Sequence, residues 1–198
     1  MPSNHSFIYR SVTLKSSYCK NALKENLKRL DENSAYICKT APLANKTVQS
    51  AANEAVIELE KLVNDLISHT DKTKEQMVHI VSSKGYDIST YHEEVTSDAK
   101  VEIRTHISNM YIELLVAIDS LLPYIETMYL FGEMTLAQRN KLVRAIKSNM
   151  TKVPKKAEEI NKDLHKMYRS NTSSKSVNRK INKPAHPSVR VSDVTVDL

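Results

Sequence analysis

Charged and apolar side chains alternate between Lys100 and Arg104. This alternation predicts a β-strand, because successive side chains of a strand point to opposite faces. Val101 and Ile103 share the face that suits a protein core. Lys100, Glu102 and Arg104 share the opposite face, where two cations and a carboxylate offer hydrogen-bond donors and acceptors to another molecule.

Two predicted helices follow this strand. An apolar helix follows and ends at Gly132, and a basic helix begins at Thr135 and Gln138, whose spacing is that of a capping box. We expect Pro123 to kink or restart the apolar helix. Strand, helix, helix is the order of a ribbon-helix-helix unit, in which one strand from each of two chains forms an antiparallel ribbon that enters the major groove of DNA. The sequence therefore predicts such a unit over residues 100–150, with the strand paired to its symmetry mate.

The rest of the chain also predicts helices. Two Gly, no Trp and 40% hydrophobic residues in 198 are typical of a helical chain with few tight turns. We expect a mainly α fold: a long-helix bundle with a short β-ribbon and a ribbon-helix-helix-like core, forming a dimer. The predicted organisation is an N-terminal arm and short helix (1–42), a helical core (43–168) and a basic, largely disordered tail (169–198).

Several shorter elements follow from local spacing. Residues 7–14 predict a strand or an ordered arm, and residues 35–38 a second short strand that would pair with it. The leucine spacing within 20–31 predicts a short helix. A long helix should run from about Leu43 to Lys84, because a glycine follows as its left-handed C-cap.

The C-terminal part of the chain contains two further predicted helices. Their apolar spacing gives Leu136–Met150 and Pro154–Tyr168, with Pro154 at the start of the second. The charge is also concentrated here, with 15 Lys and Arg against 5 Asp and Glu from Arg139 onward. The preceding residues hold 14 against 18, so the positive field lies at the C-terminal end. Such a field attracts nucleic acid or an anionic membrane surface, although a solvated helix face and a soluble tail also explain it.

The sequence gives little support for an enzyme. The seven histidines are scattered, with no pair at the i, i+4 spacing of a helical metal site, and two glycines cannot form a glycine-rich phosphate loop. Cys19 and Cys38 are too few for a disulfide framework. We expect no catalytic activity and no cofactor. Without a long apolar run or a signal-like leader, we also expect no membrane span and a cytoplasmic location.

Three features of the middle of the chain resemble a known family. They are the long helix that ends at Lys84-Gly85, the strand from Lys100, and the run Ala117–Arg139 with its Ile-Asp-x-Leu segment and its aromatic-Leu-x-Gly turn. Together they resemble AcaB-type transcriptional regulators of conjugative plasmids and integrative conjugative elements. The resemblance covers about residues 43–161.

The resemblance implies a sequence-specific DNA-binding regulator of conjugative transfer genes that binds promoter duplexes as a homodimer. Lys100 and Arg104 would reach base edges or phosphates, and Glu102 would accept from cytosine or pair across the ribbon. The free N–H groups that follow Thr135 would hold a phosphate. The residues implied in DNA contact are Lys100, Glu102, Arg104, Thr135, Arg139, Lys141, Arg144 and Lys147.

A second interpretation is a non-enzymatic interaction protein. In that case a helical or coiled-coil scaffold presents a basic tail to an acidic partner or a membrane surface. Lys100 and Arg104 would then be ordinary solvent-facing residues of an edge strand, where charges discourage aggregation. This interpretation predicts that Lys100, Glu102 and Arg104 can be replaced without loss of function.

Overall fold

Two strands and four helices make up the computed structural model, which describes residues 7–88 and 97–181. The fold is mainly α with a two-stranded antiparallel sheet, as expected. None of the described helices is both long enough and apolar enough to cross a bilayer. The elements in chain order are β1 (Ile8–Leu14), α1 (Ser17–Ala35), α2 (Lys46–Ser83), β2 (Ser97–Ile103), α3 (His106–Leu130) and α4 (Leu136–Ile181).

The ribbon is formed within one chain. β2 pairs with β1, from Ile8 opposite Ile103 to Leu14 opposite Ser97. The sequence predicts that β2 pairs with its symmetry mate, and this prediction is wrong about the partner, which is β1 of the same chain. The physical reason lies in β1, where Val12 and Leu14 are buried and give the strand an inner face that packs beside that of β2.

The first helix is longer than its leucine spacing predicted, and the predicted strand at residues 35–38 does not form. Ser16 caps α1 by accepting the Tyr18 N–H at 3.1 Å. The chain then continues from α1 through one π-helical turn, Tyr36–Thr40, and a 3-10 turn, Ala41–Leu43. Ile37 is fully buried. It lies seven residues after Leu30, so it extends the buried stripe of α1, and burial in that stripe outweighs a local preference for strand.

The long second helix forms much as the spacing predicts. Its N-cap is Asn45, whose side chain accepts the Val48 N–H at 3.0 Å. It contains 38 residues and is therefore about 57 Å long. It ends where predicted, because Gly85 takes a positive φ of 70° and the Tyr86 N–H returns to the Val81 carbonyl at 3.0 Å.

Pro123 and Pro154 lie inside continuous helices, so the chain does not restart a helix at either residue. α3 runs unbroken through Pro123, and its buried residues Leu122 and Ile125 lie on either side of the ring. Burial of this apolar helix on its neighbours offsets one missing backbone hydrogen bond. Gly132 then ends the segment with φ 77°, as predicted.

The two predicted C-terminal helices are one helix, α4, which passes through a buried Pro154. A proline at this position leaves the carbonyl four residues earlier without its helical donor. That carbonyl belongs to Met150, and the Tyr111 hydroxyl of α3 donates to it at 2.9 Å. α4 also continues to Ile181, into the segment 169–198 that the sequence predicts to be a largely disordered tail. Residues 182–198 lie outside the described part of the chain.

The helices pack around one apolar core. α1 contacts α3 and α4, α2 contacts the same two helices, and α3 is the most buried of the four. Two ring stacks join elements at the edges of the core. Tyr36 stacks on His165 with ring centroids 4.1 Å apart, and Tyr86 stacks on Phe131 at the same distance.

Candidate nucleic-acid interface

The solvent face of the ribbon carries alternate residues of both strands. Tyr9 lies opposite Glu102, and Ser11 lies opposite Lys100. All four side chains are exposed. The Lys100 ammonium lies 4.7 Å from the centroid of the Tyr9 ring, a cation–π contact that holds the two side chains together.

This face combines several kinds of contact group. Lys100 donates, Glu102 accepts, the Ser11 hydroxyl does both, and the Tyr9 ring adds an apolar surface. Lys100 forms no ion pair with any acidic residue of the described ranges. Its charge therefore remains available to an anion or to an acceptor on a base edge.

A buried carboxylate fixes the end of β2. Asp31 of α1 is 5% exposed and accepts the Arg104 backbone N–H at 2.8 Å and the Ser108 hydroxyl at 2.8 Å. Ser34 and Thr105 share a hydrogen bond of 2.7 Å beside it. This network joins α1 to the junction between β2 and α3, and so sets the position of the ribbon.

The structure places Arg104 differently from the alternation in the sequence. β2 ends at Ile103, and the Arg104 side chain is half-buried. Its Nε lies 3.5 Å from the carboxylate of Asp31 and 3.5 Å from that of Glu102. Arg104 therefore does not share the open face of Lys100, because the network around Asp31 holds its backbone and its guanidinium.

A second buried carboxylate holds the other end of the ribbon. Asp119 of α3 accepts the backbone N–H groups of Lys15 at 2.8 Å and Ser16 at 2.7 Å, which lie between β1 and α1. The sequence showed Asp119 within the Ile-Asp-x-Leu segment but gave it no role. One signal for its role was present in the sequence, namely a carboxylate on an otherwise apolar helix face. A buried charge requires hydrogen-bond donors nearby.

The start of α4 confirms the capping box but changes the expectation for Arg139. The Thr135 N–H donates to Gln138 Oε1 at 2.8 Å, and the Gln138 N–H donates to Thr135 Oγ1 at 3.3 Å. Arg139 donates from Nε and Nη2 to both oxygens of Glu126, at 2.8 and 2.6 Å, and lies over the Tyr129 ring. The hydrogen bonds that Arg139 donates to Glu126 raise the pKa of Arg139. This guanidinium is already engaged within the protein.

Three predicted basic residues of α4, Lys141, Arg144 and Lys147, are exposed. The Lys147 ammonium lies 4.1 Å from the centroid of the Tyr18 ring on α1, and Arg144 Nε donates to the Asn140 carbonyl at 3.2 Å. α1 packs against α4 and borders a groove together with β2. None of these three cations borders the groove between α1 and β2.

Two lysines that sequence reasoning missed lie closer to the ribbon. Lys24 and Lys28 of α1 border a groove of about 310 Å³, whose opposite wall includes Val101 and Glu102 of β2. Their i, i+4 spacing was visible in the sequence. Their position beside β2 was not, because it depends on packing between segments more than 70 residues apart along the chain.

The described residues contain no group of three or more His, Cys, Asp or Glu side chains arranged to hold a metal ion. Cys19 and Cys38 do not form a disulfide. Burial raises the pKa of Cys38 to about 11, with a further contribution from the charge of Glu60. A thiol with so high a pKa is a poor nucleophile at neutral pH.

Comparison with known proteins gives a likeness of fold. No protein-family model matches the sequence, and no curated protein matches it. Among solved structures, the fold is similar to the crystal structure of selenomethionine-containing AcaB from uropathogenic E. coli, with a TM-score of 0.72 and 16% sequence identity. The match covers 96% of this chain and 94% of that chain. It confirms the AcaB-like fold that the central sequence suggested.

Proposed function

We propose that this protein binds duplex DNA in a sequence-specific manner, with the solvent face of the β1–β2 ribbon in the major groove. One observation carries the proposal: the ribbon presents Lys100, which forms no ion pair among the described residues, beside Tyr9 and Ser11 on a face that the core leaves open. The major groove is about 12 Å wide and admits a two-stranded ribbon, whose strands are about 4.8 Å apart.

The hydrogen bonds that hold the ribbon in position favour sequence-specific binding over non-specific electrostatic attraction. Discrimination between bases requires that donors and acceptors be held in position. Asp31 fixes the end of β2, and Asp119 fixes the turn that follows β1. In this proposal Lys100 donates to a base acceptor or a phosphate, and Glu102 accepts from cytosine or supports Arg104.

The proposed role is transcriptional regulation of conjugative transfer genes, without enzymatic activity. The resemblance of residues 43–161 to AcaB-type regulators and the similarity in fold to AcaB support this role. A homodimer is part of the proposal. Because each chain forms its own ribbon, a two-fold dimer would bring two ribbons to two half-sites, about 34 Å apart if they occupy one face of the duplex.

Selection from a duplex pool with 20 randomised base pairs tests the proposal. We expect the full-length protein to enrich a sequence pattern that persists at two salt concentrations. Lys100→Ala should lose much of the discrimination, by about 1–3 kcal/mol for a lost base contact. Lys61→Ala, on the exposed side of α2, removes the same charge far from the ribbon and should leave the pattern unchanged. No enrichment by the wild-type protein would contradict the proposal.

One observation favours the alternative of an acidic partner or membrane surface. Residues 136–157 contain seven Lys and Arg and no Asp or Glu. Such a helix binds anionic surfaces without a sequence preference. If that were its main role, binding to vesicles with anionic lipid would exceed binding to duplex DNA at equal salt, and Lys100→Ala would change neither.

A further inference from the structure

The groove between α1 and β2 places two cations at the edge of the ribbon. Lys24 and Lys28 lie one turn apart on α1, and both are exposed. Neither forms an ion pair with an acidic residue in the part of the chain that the structure describes. Two of the groove's acids, Asp31 and Glu102, are engaged with Arg104. Glu32, the third acid of the groove, forms no ion pair with either lysine, so neither ammonium group is paired within the described residues.

The orientation of α1 explains why these lysines remain at the edge. Leu23 and Leu27, each adjacent in sequence to one of the lysines, are buried. They border the same groove as Val101 of β2. α1 and β2 therefore border one groove, with the apolar side of α1 toward the core and the exposed Lys24 and Lys28 at the edge of the groove.

The diameter of a helix and the width of the major groove decide which part of the DNA these lysines would contact when the ribbon is bound. A helix with its side chains is about 10–12 Å across, which already fills the major groove. α1 and the ribbon cannot enter the groove together. When the ribbon lies in the major groove, α1 must lie over one wall of the major groove. Each of these walls is a sugar–phosphate strand.

We propose that Lys24 and Lys28 bind backbone phosphates on one strand of the DNA, next to the bases that the ribbon contacts. This inference rests on the proposed function. The two residues are separated by about 6 Å along the helix axis. One strand carries a phosphate about every 3.4 Å along the duplex axis, so the pair can reach separate phosphates. Phosphate contacts set register and affinity, while base contacts set sequence preference.

The test measures affinity of the full-length protein for its selected duplex and a scrambled duplex over a series of salt concentrations. For Lys24→Ala with Lys28→Ala, the slope of log K against log salt should become shallower by about 2, with affinity lost equally for both duplexes. The matched control is Lys61→Ala with Lys72→Ala, two exposed lysines of α2 without ion pairs among the described residues. That control should keep most of the wild-type slope.

The outcomes separate this inference from the proposed function. A double variant whose slope equals that of the α2 control would overturn the inference while Lys100 keeps its effect on discrimination. Loss of discrimination in the double variant would also overturn it, since that result assigns base contact to α1. Lys24→Arg with Lys28→Arg should retain the wild-type slope, which separates a loss of charge from a loss of fold. A wild-type protein without preference for any duplex would contradict both proposals.

Discussion

The Tyr111 hydroxyl donates to the Met150 carbonyl across the interface between α3 and α4, at 2.9 Å. This carbonyl lacks the usual donor four residues later in its own helix, because residue 154 is a proline. Tyr111 is fully buried, and burial raises its pKa, so its hydroxyl remains protonated and can donate. A side chain of α3 therefore allows α4 to pass through Pro154 as one helix.

Replacement of this donor should destabilise the fold. Tyr111→Phe leaves the Met150 carbonyl buried without a partner, and we expect a loss of about 1–3 kcal/mol in the free energy of unfolding. Urea denaturation followed by circular dichroism measures it. Tyr9→Phe removes a hydroxyl from an exposed ring and should change the free energy by less than about 0.5 kcal/mol.

The same relationship predicts coupling with Pro154. Pro154→Ala supplies an N–H that can donate to the Met150 carbonyl within α4. In that background, Tyr111→Phe should cost less than it does in the wild-type protein. Equal costs in both backgrounds, measured as a double-mutant cycle, would show that the hydroxyl does not substitute for the missing helical donor.

Asp31→Asn should weaken the attachment of the ribbon. The amide keeps the volume of the carboxylate but presents an N–H₂ group toward donors on Arg104 or Ser108. We expect a loss of about 1–3 kcal/mol in the free energy of unfolding, together with faster hydrogen exchange in β2. Asp65→Asn, at an exposed position of α2, is the control. If both variants unfold at the same urea concentration, Asp31 does not anchor the strand.

Arg139→Ala should affect stability more clearly than DNA binding. The guanidinium is held by two hydrogen bonds to Glu126 and lies over Tyr129. We expect a loss of about 1 kcal/mol in stability, and an effect on duplex affinity no greater than that of Lys141→Ala, which also removes one charge from α4. A selective loss of DNA discrimination in Arg139→Ala would restore the role that the sequence suggested for it.

The Cys38 thiol should react slowly in the native protein. A pKa of about 11, raised by burial from an ordinary value of 9.0, lowers the thiolate fraction at pH 8 by roughly a hundredfold. Alkylation by iodoacetamide should therefore be much slower in native protein than in urea, and should become faster by about tenfold per unit of pH up to pH 10. Mass spectrometry of the Cys38 peptide measures the rate. Equal alkylation rates in native and unfolded protein would contradict the burial that raises the pKa of Cys38.

Local signals in the sequence were sufficient for several elements. Gly85 ended α2 and the Thr135–Gln138 pair opened α4 as predicted, because capping depends on residues within one turn. The helix start predicted at Pro154 was wrong, since the donor that compensates for this proline comes from Tyr111 on another helix. Such a compensation is visible only once the helices are packed.

The candidate site was predicted less completely than the fold. The alternation of charged and apolar residues correctly placed Lys100 on an open strand face, because the direction of a strand side chain depends only on its position within β2. Alternation also placed Arg104 there, but the strand ends one residue earlier, where Asp31 takes the next N–H. The proximity of Lys24 to β2 and the pairing of β2 with β1 both depend on contacts between distant parts of the chain, which no local pattern encodes.

Replacement of purine N7 in the DNA tests the central claim most directly. A selected duplex built with 7-deazapurines keeps its base pairing and its minor groove but loses an acceptor from every purine in the major groove. We predict that the wild-type protein loses most of its preference for this duplex over a scrambled one, and that Lys100→Ala, already weakened, loses much less. An unchanged preference of the wild-type protein for the substituted duplex over the scrambled one would contradict recognition of purine edges in the major groove by the ribbon.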